Sequence, residues 1–195
     1  MRNKLIYSLL FLPFLIVVAC TSNNEVPKPR GYLRIDLPEK SWQRYDSLMY
    51  YSFDYPVYTE VLRDPLSNSE DEWINIHYPD IKATIHLSYK QVNNNLHIYK
   101  EDARSMALKH LPKANAISDS LFFIAHNNVY GAIYQIGGKG VASPIQFYAS
   151  DSTNHFIRGA LYFNYKPNND SVSPVIGFIK SDILHFLNSL EWSNP

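Results

Sequence analysis

The chain has 195 residues, with 18 lysines and arginines against 18 acids, 46% hydrophobic and 14% aromatic residues, seven glycines and one cysteine. That length builds one domain or two small ones, and the apolar fraction excludes a disordered chain. Zero formal charge supplies no bulk attraction to nucleic acid, and a lone cysteine excludes both an intrachain disulfide framework and a thiolate-cage zinc site.

Arg2 and Lys4 precede an uncharged run from Leu5 to Ala19 that ends at Cys20. Fifteen helical residues rise about 22 Å, short of the roughly 30 Å hydrocarbon layer. A basic start, a short apolar run and a small residue before the cut describe a secretory signal peptide, residues 1–19. Val17-Val18-Ala19-Cys20 resembles the bacterial lipobox, in which Cys20 is acylated on sulfur and becomes the new N-terminus. An uncleaved anchor helix is the alternative. Pro13 in mid-run and the lack of basic residues just after Cys20 count against it. Two or three acyl chains, at about 0.8 kcal/mol per buried methylene, hold a protein on a membrane firmly. Residues 20–26 then form a polar tether, and the mature chain carries two more acids than bases.

Residues 27–195 read as one α+β domain. Pro27-Lys28-Pro29-Arg30-Gly31 is extended by its prolines, and residues 26–40 are expected to form a strap lying on the domain. Pro27, Pro29, Arg30 and Tyr32 in that strap are also the first candidates for a partner surface, given the enrichment of Tyr and Arg in interfaces. Tyr51 to Tyr55, Ile74 to Tyr78 and Ile81 to Tyr89 alternate apolar with polar residues, the mark of antiparallel strands with one covered face. A tight turn at Tyr78-Pro79-Asp80-Ile81 is expected to pair the second with the third, opposing Tyr78 to Ile81. A helix follows from about Leu96 to His110, with Leu96, Tyr99, Ala103, Met106 and Ala107 on one face and Pro112 closing it. Four strands come next, near 121–126, 129–136, 143–150 and 154–164, with turns at Asn127-Asn128 and at Asp151 to Asn154. Ser173-Pro174 is expected to cap and open a last helix, whose apolar stripe is Ile179, Ile183, Phe186, Leu187 and Leu190. The order gives a largely antiparallel sheet of about seven strands with two amphipathic helices. An α/β/α sandwich similar to the Mog1/PsbP-like architecture is the preferred form, and a two-layer version the alternative.

No catalytic constellation emerges. With Tyr78 opposite Ile81, His77 and His86 would stand about 13 Å apart on one hairpin, too far to share a zinc ion with bonds of about 2 Å. Gly137-Gly138-Lys139-Gly140 precedes strand-like residues rather than a helix and lacks the following Ser or Thr of a phosphate-binding loop. Glu70-Asp71-Glu72 beside Trp73 supplies adjacent carboxylates, the residue type of glycoside hydrolysis, but reads as a solvated loop edge. No Gly-x-Ser-x-Gly elbow occurs, and Cys20 is occupied by lipid, so a nucleophile is missing. The chain is therefore expected to be a non-enzyme without cofactor or metal. Ser47, Ser120 and Ser152 each follow an aspartate and precede Leu or Thr, which resembles the O-glycosylation signal of exported Bacteroidota proteins. Turns use the same residues.

Pro27-Lys28-Pro29-Arg30-Gly31-Tyr32-Leu33-Arg34-Ile35-Asp36-Leu37-Pro38, placed just after the lipid cysteine, resembles the Bacteroidota gliding-motility lipoprotein family GldD. So do Ile81 to Lys90, Val141 to Tyr148 and Arg158 to Asn164, and the resemblance runs over nearly the whole mature chain. It implies a cell-envelope lipoprotein needed for gliding and linked to type IX secretion, with envelope proteins of that apparatus as partners and the domain in the periplasm. It implies no catalytic residue. The competing expectations are an envelope hydrolase acting on peptidoglycan or glycans, which needs polar groups converging in a pocket, and a lipid or small-ligand carrier, which needs a cavity between sheet and helix.

Overall fold

Period-two patterning becomes a sheet because each strand buries alternate side chains, and two amphipathic helices supply the cover. A computed structural model describes residues 36–64, 72–165 and 168–193, all within one unit, Tyr32–Pro195. The signal peptide, Cys20, the tether and the strap residues Pro27, Pro29, Arg30 and Tyr32 lie outside the described residues, as do Glu70 and Asp71.

In chain order the elements are β1 (Trp42–Tyr45), β2 (Tyr51–Pro56), β3 (Glu60–Arg63), β4 (Ile74–Tyr78), β5 (Ala83–Gln91) and helix α1 (Leu96–Leu108). Then come β6 (Ala116–Ile124), β7 (Val129–Gly137), β8 (Ile145–Ser150), β9 (His155–Phe163), helix α2 (Ser173–Ser189) and β10 (Glu191–Trp192). Seven strands form one antiparallel sheet in the order β3-β4-β5-β9-β8-β7-β6, and β1-β2-β10 form a second, smaller one. The pairing registers decide which side chains share a face. Phe147 of β8 faces α2, with its ring 5.8 Å from Phe186, whereas Tyr148 joins Phe156, Ala103 and Ala107 under α1. The helices therefore cover opposite faces, and the sandwich form holds rather than the two-layer one. All of β8 is buried, as a strand covered on both sides must be.

The α2 side carries the larger core. Val175, Ile179, Ile183, Phe186 and Leu187 pack with Tyr51 and Phe53 of β2 and with Ile133, Phe147, Ile157 and Leu161 of the large sheet. β2 does not join the large sheet as its first strand. It lies beside α2 with β1 and β10 as partners, and the short β3, which carries no clear alternation, forms the large sheet's edge instead. Arg44 ties this corner together: its guanidinium donates to Ser189 O (2.8 Å) at the end of α2, to Ser52 Oγ (2.7 Å) and to Glu191 Oε2 (2.5 Å). A cation is well placed there, where the last helical carbonyls have no intrahelical partner.

Three local expectations need correction. The β4–β5 register pairs Tyr78 with Ala83, not Ile81, so the connection is the four residues Pro79 to Lys82. A two-residue hairpin requires a positive φ at its first central position, which the proline ring forbids. The longer loop places the left-handed residue at Lys82 instead (φ 55°). Ser173 does not cap α2: Val172 holds that position, and no side chain bonds the first turn, although Pro174 opens the helix as expected. β6 begins at Ala116, five residues earlier than predicted, because its polar first half lies on an exposed sheet edge and carries no alternation.

Candidate functional site

A carboxylate interrupts the apolar stripe of α2. Asp182 lies between Ile179 and Phe186 at helical spacing and is only 2% exposed. Tyr58 Oη donates to both of its oxygens at 3.1 Å, Tyr78 Oη donates to Oδ2 at 3.1 Å, and Lys40 makes an ion pair with Oδ1. The Lys40 ammonium also donates to Phe178 O (2.9 Å) and lies 3.3 Å from the centre of the Phe178 ring. Burial pushes the Asp182 carboxyl above the usual aspartate range, against the pull of Lys40 and the two hydroxyls. Burial likewise lowers Lys40 despite Asp182. Both shifts say that desolvation outweighs the attraction within the pair, the usual balance for a buried ion pair. Beside it, Leu37, Pro38, Tyr58, Tyr78 and Val175 line a cavity of about 470 Å³. Asp36 to Ser41, the described end of the expected strap, has no regular structure, and Lys40 fixes it to the centre of α2.

A second cavity, about 360 Å³, opens on the other face, beside α1. Its origin is geometric. A helix about 10 Å across cannot cover seven strands that span about 29 Å. α1 sits over β8 and β9 and leaves both flanks of that face open. On the β6 flank, Leu121 and Phe123 are 80% and 55% exposed, with Phe123 stacked on Tyr130 at 4.4 Å. On the β5 flank lies the cavity. Tyr99, Asp102, Ala103 and Met106, one face of α1, look across to His86, Ser88 and Lys90 of β5 and to Phe156 and Arg158 of β9. Trp73 and Asp64 complete it.

Arg158 is the unusual group. It is half-buried, its Nη2 donates to Gln146 Oε1 at 2.6 Å, and its Nε is buried with no acceptor among the described residues. Burial lowers its pKa, offset only by Tyr162. Leaving a buried donor unpaired costs about 1–3 kcal/mol. Lys90 lies over the Trp73 ring at 4.8 Å, and Trp73 Nε1 donates to Tyr89 O at 2.8 Å. His86 is held toward its neutral form by burial, against the opposing charge of Asp64.

The sequence-predicted chemistry does not assemble. The corrected register makes His77 and His86 diagonal neighbours, roughly 7–8 Å apart rather than 13, yet each has its own partner. His77 Nδ1 meets Thr84 Oγ1 at 3.2 Å, and His86 Nδ1 meets Asn75 Oδ1 at 2.6 Å. Among the described residues no three His, Cys, Asp or Glu side chains could hold a metal ion. Glu72 accepts the Met49 N–H at 3.1 and 3.2 Å, and its carbonyl accepts from Tyr51 Oη at 2.8 Å, a structural brace. Gly138, at φ 146°, shapes the β7–β8 loop, where its carbonyl accepts from Asn169 Nδ2 at 3.0 Å. Ser47, Ser120 and Ser152 are all exposed. Asp151, which precedes Ser152, is committed to the turn: its carboxylate accepts the N–H groups of Thr153 (3.0 Å), Asn154 (2.8 Å) and His155 (2.8 Å). The sequence reading missed Asp182, although an acid three residues after Ile179 within the apolar stripe of a helix is the signal that marks it. Arg158 carried no such signal, because only the β5–β9 pairing brings it opposite Ser88.

The model of the gliding motility lipoprotein GldD family matches residues 22–192. The chain belongs to this family. It is thereby a membrane-associated lipoprotein of the cell envelope, connected with gliding motility. The match begins two residues after Cys20 and takes in both cavities. Among solved structures the chain is similar to cyanobacterial PsbP (CyanoP) from Synechocystis sp., at 10% identity and a TM-score of 0.48, over 82% of this chain and 97% of that one. No curated protein matches it.

Proposed function

We propose that the chain is a non-catalytic accessory or assembly factor of the gliding and type IX secretion apparatus, held at the membrane by acyl chains on Cys20 with its folded domain in the periplasm. The observation that carries this reading is the family match over residues 22–192, directly behind a lipobox-like Val17-Val18-Ala19-Cys20. Tethering raises the local concentration of a folded body near its membrane partners, so modest contacts suffice for assembly. Supporting the non-catalytic part, two acids and a histidine of the described domain are tied into packing: Asp182 to Tyr58 and Tyr78, Glu72 to Met49, and His155 Nδ1 to Tyr89 Oη at 2.7 Å.

Three substitutions test the proposal. Cys20→Ser in the chromosome is expected to release the protein from the membrane fraction and to reduce both surface spreading and type IX-dependent secretion. Wild-type secretion and fractionation in that strain would overturn the anchored role. Glu72→Gln and His86→Gln, checked for folding, are expected to leave secretion intact. Loss of secretion with a folded variant would point to an enzyme instead. Crosslinking in intact envelopes then identifies the partner.

A further inference from the structure

The cavity between α1 and β5 joins three features that packing alone does not call for. Its wall is apolar and aromatic on one side, from Tyr99, Met106 and Phe156, with Trp73 facing them. It contains a half-buried guanidinium whose Nε has no acceptor and which makes no ion pair with any described carboxylate. It also carries two carboxylates of its own, Asp64 and Asp102, with Lys90, His86 and the Tyr99 hydroxyl as the remaining titratable groups.

A cation removed from water without an anion lacks the partner that ordinarily offsets its burial. The planar fork of arginine matches a carboxylate. With Arg158 and Lys90 against Asp64 and Asp102 the wall is neutral, so a monoanion on Arg158 leaves one net negative charge, whereas a dianion such as a phosphate monoester would leave two beside the carboxylates. The volume, about 360 Å³, falls at the small end of ligand pockets. Four of the lining residues come from one helix face at positions 99, 102, 103 and 106, so the cleft is held by regular structure rather than by a loop.

We propose that this cleft binds a small amphipathic monocarboxylic acid, with its carboxylate on Arg158 and its apolar body between Trp73, Tyr99, Met106 and Phe156. Gln146 is a positioning residue, since its Oε1 holds the guanidinium in place. The inference stands apart from the accessory role above: a ligand cleft is compatible with an assembly factor and with its failure.

The test uses the full-length acylated protein in lipid nanodiscs, with empty nanodiscs as the blank. Titration with 4-phenylbutyrate, followed by calorimetry and by tryptophan fluorescence, is expected to show saturable binding in roughly the millimolar range. Octanoate run in parallel separates an aryl from an alkyl body, and binding of either acid upholds the proposal. The neutral 4-phenylbutyramide is expected to bind at least about tenfold more weakly, the factor that one charge-assisted hydrogen bond supplies. Arg158→Gln is expected to remove that preference for the acid. Should Arg158→Gln fail to fold, Met106→Glu at the exposed side of the cleft leaves Arg158 in place, removes one apolar contact from both ligands and adds like charge, and is expected to weaken the acid clearly more than the amide. No saturable binding of either acid, equal affinity for acid and amide, or unchanged acid binding in folded Met106→Glu would overturn the proposal. Since none of these readouts involves secretion or motility, its failure is distinguishable from failure of the accessory role.

Discussion

Asp151 and Asp182 are both acids drawn out of bulk water, and their surroundings move them in opposite directions. Burial would raise Asp151, but three backbone N–H groups and the Thr153 hydroxyl outweigh it and hold the carboxyl below its usual range. The native chain then binds fewer protons than the unfolded one. That stabilisation is complete above about pH 4, the ordinary aspartate value, and is lost as pH falls through the lower native value. Asp151→Asn should flatten the acid limb of the stability profile and cost about 1–3 kcal/mol near neutrality, read from urea midpoints between about pH 3 and pH 7. Asp182, raised by burial, has the reverse sign: its contribution is most favourable below about pH 4 and declines as pH climbs through the elevated native value. Asp182→Ala nevertheless destabilises the neutral protein by about 3 kcal/mol or more, because Lys40, Tyr58 and Tyr78 lose their common acceptor. Pairing Lys40→Met with Asp182→Leu should recover much of the loss, and a double-mutant cycle measures how much.

At the scale of elements, the tight constraints lie where β8 pairs with its neighbours β9 and β7. A Cβ on Gly159 would come within 2.1 Å of the Phe147 ring, so Gly159→Ala is expected to cost about 1–3 kcal/mol through overpacking. Phe147→Leu in the same chain should return part of that, because the clash is with a side chain. Gly131→Ala should be worse and gain nothing from Phe147→Leu, since its Cβ would stand 2.0 Å from the Tyr148 carbonyl, which is backbone. The same contrast between local and cross-chain causes governs how far the fold could be read. β4, β5 and α1 were legible because each shows one wet face and one buried face over several residues. β1, β3 and β10 were not: four, four and two residues are too few to display a period. The β4–β5 register was misread because Pro79 cannot take the left-handed conformation that a tighter turn demands. Of the candidate cleft, the helix face was visible in the sequence, while the opposing cation depended on strand pairing between residues 70 apart.

Across the whole molecule, the two faces of the large sheet are unequally covered. α2 buries six residues including Asp182, whereas α1 fully buries only Ala103 and Ala107. Amide exchange should therefore find α1 opening well before α2 and the central strands, and comparable protection in both helices would contradict that order. The smaller sheet carries a different implication. β2, near the start of the domain, is flanked on one side by β1 and on the other by β10, where Glu191 pairs with Ser52 and Trp192 with Tyr51. Trp192 also stacks on the buried His155 at 5.2 Å. A polypeptide emerging amino end first thus cannot close this sheet until Glu191 and Trp192 have been made. Until then β2 lacks one of its two flanking strands, even though every strand of the large sheet has already been made once the chain reaches Phe163.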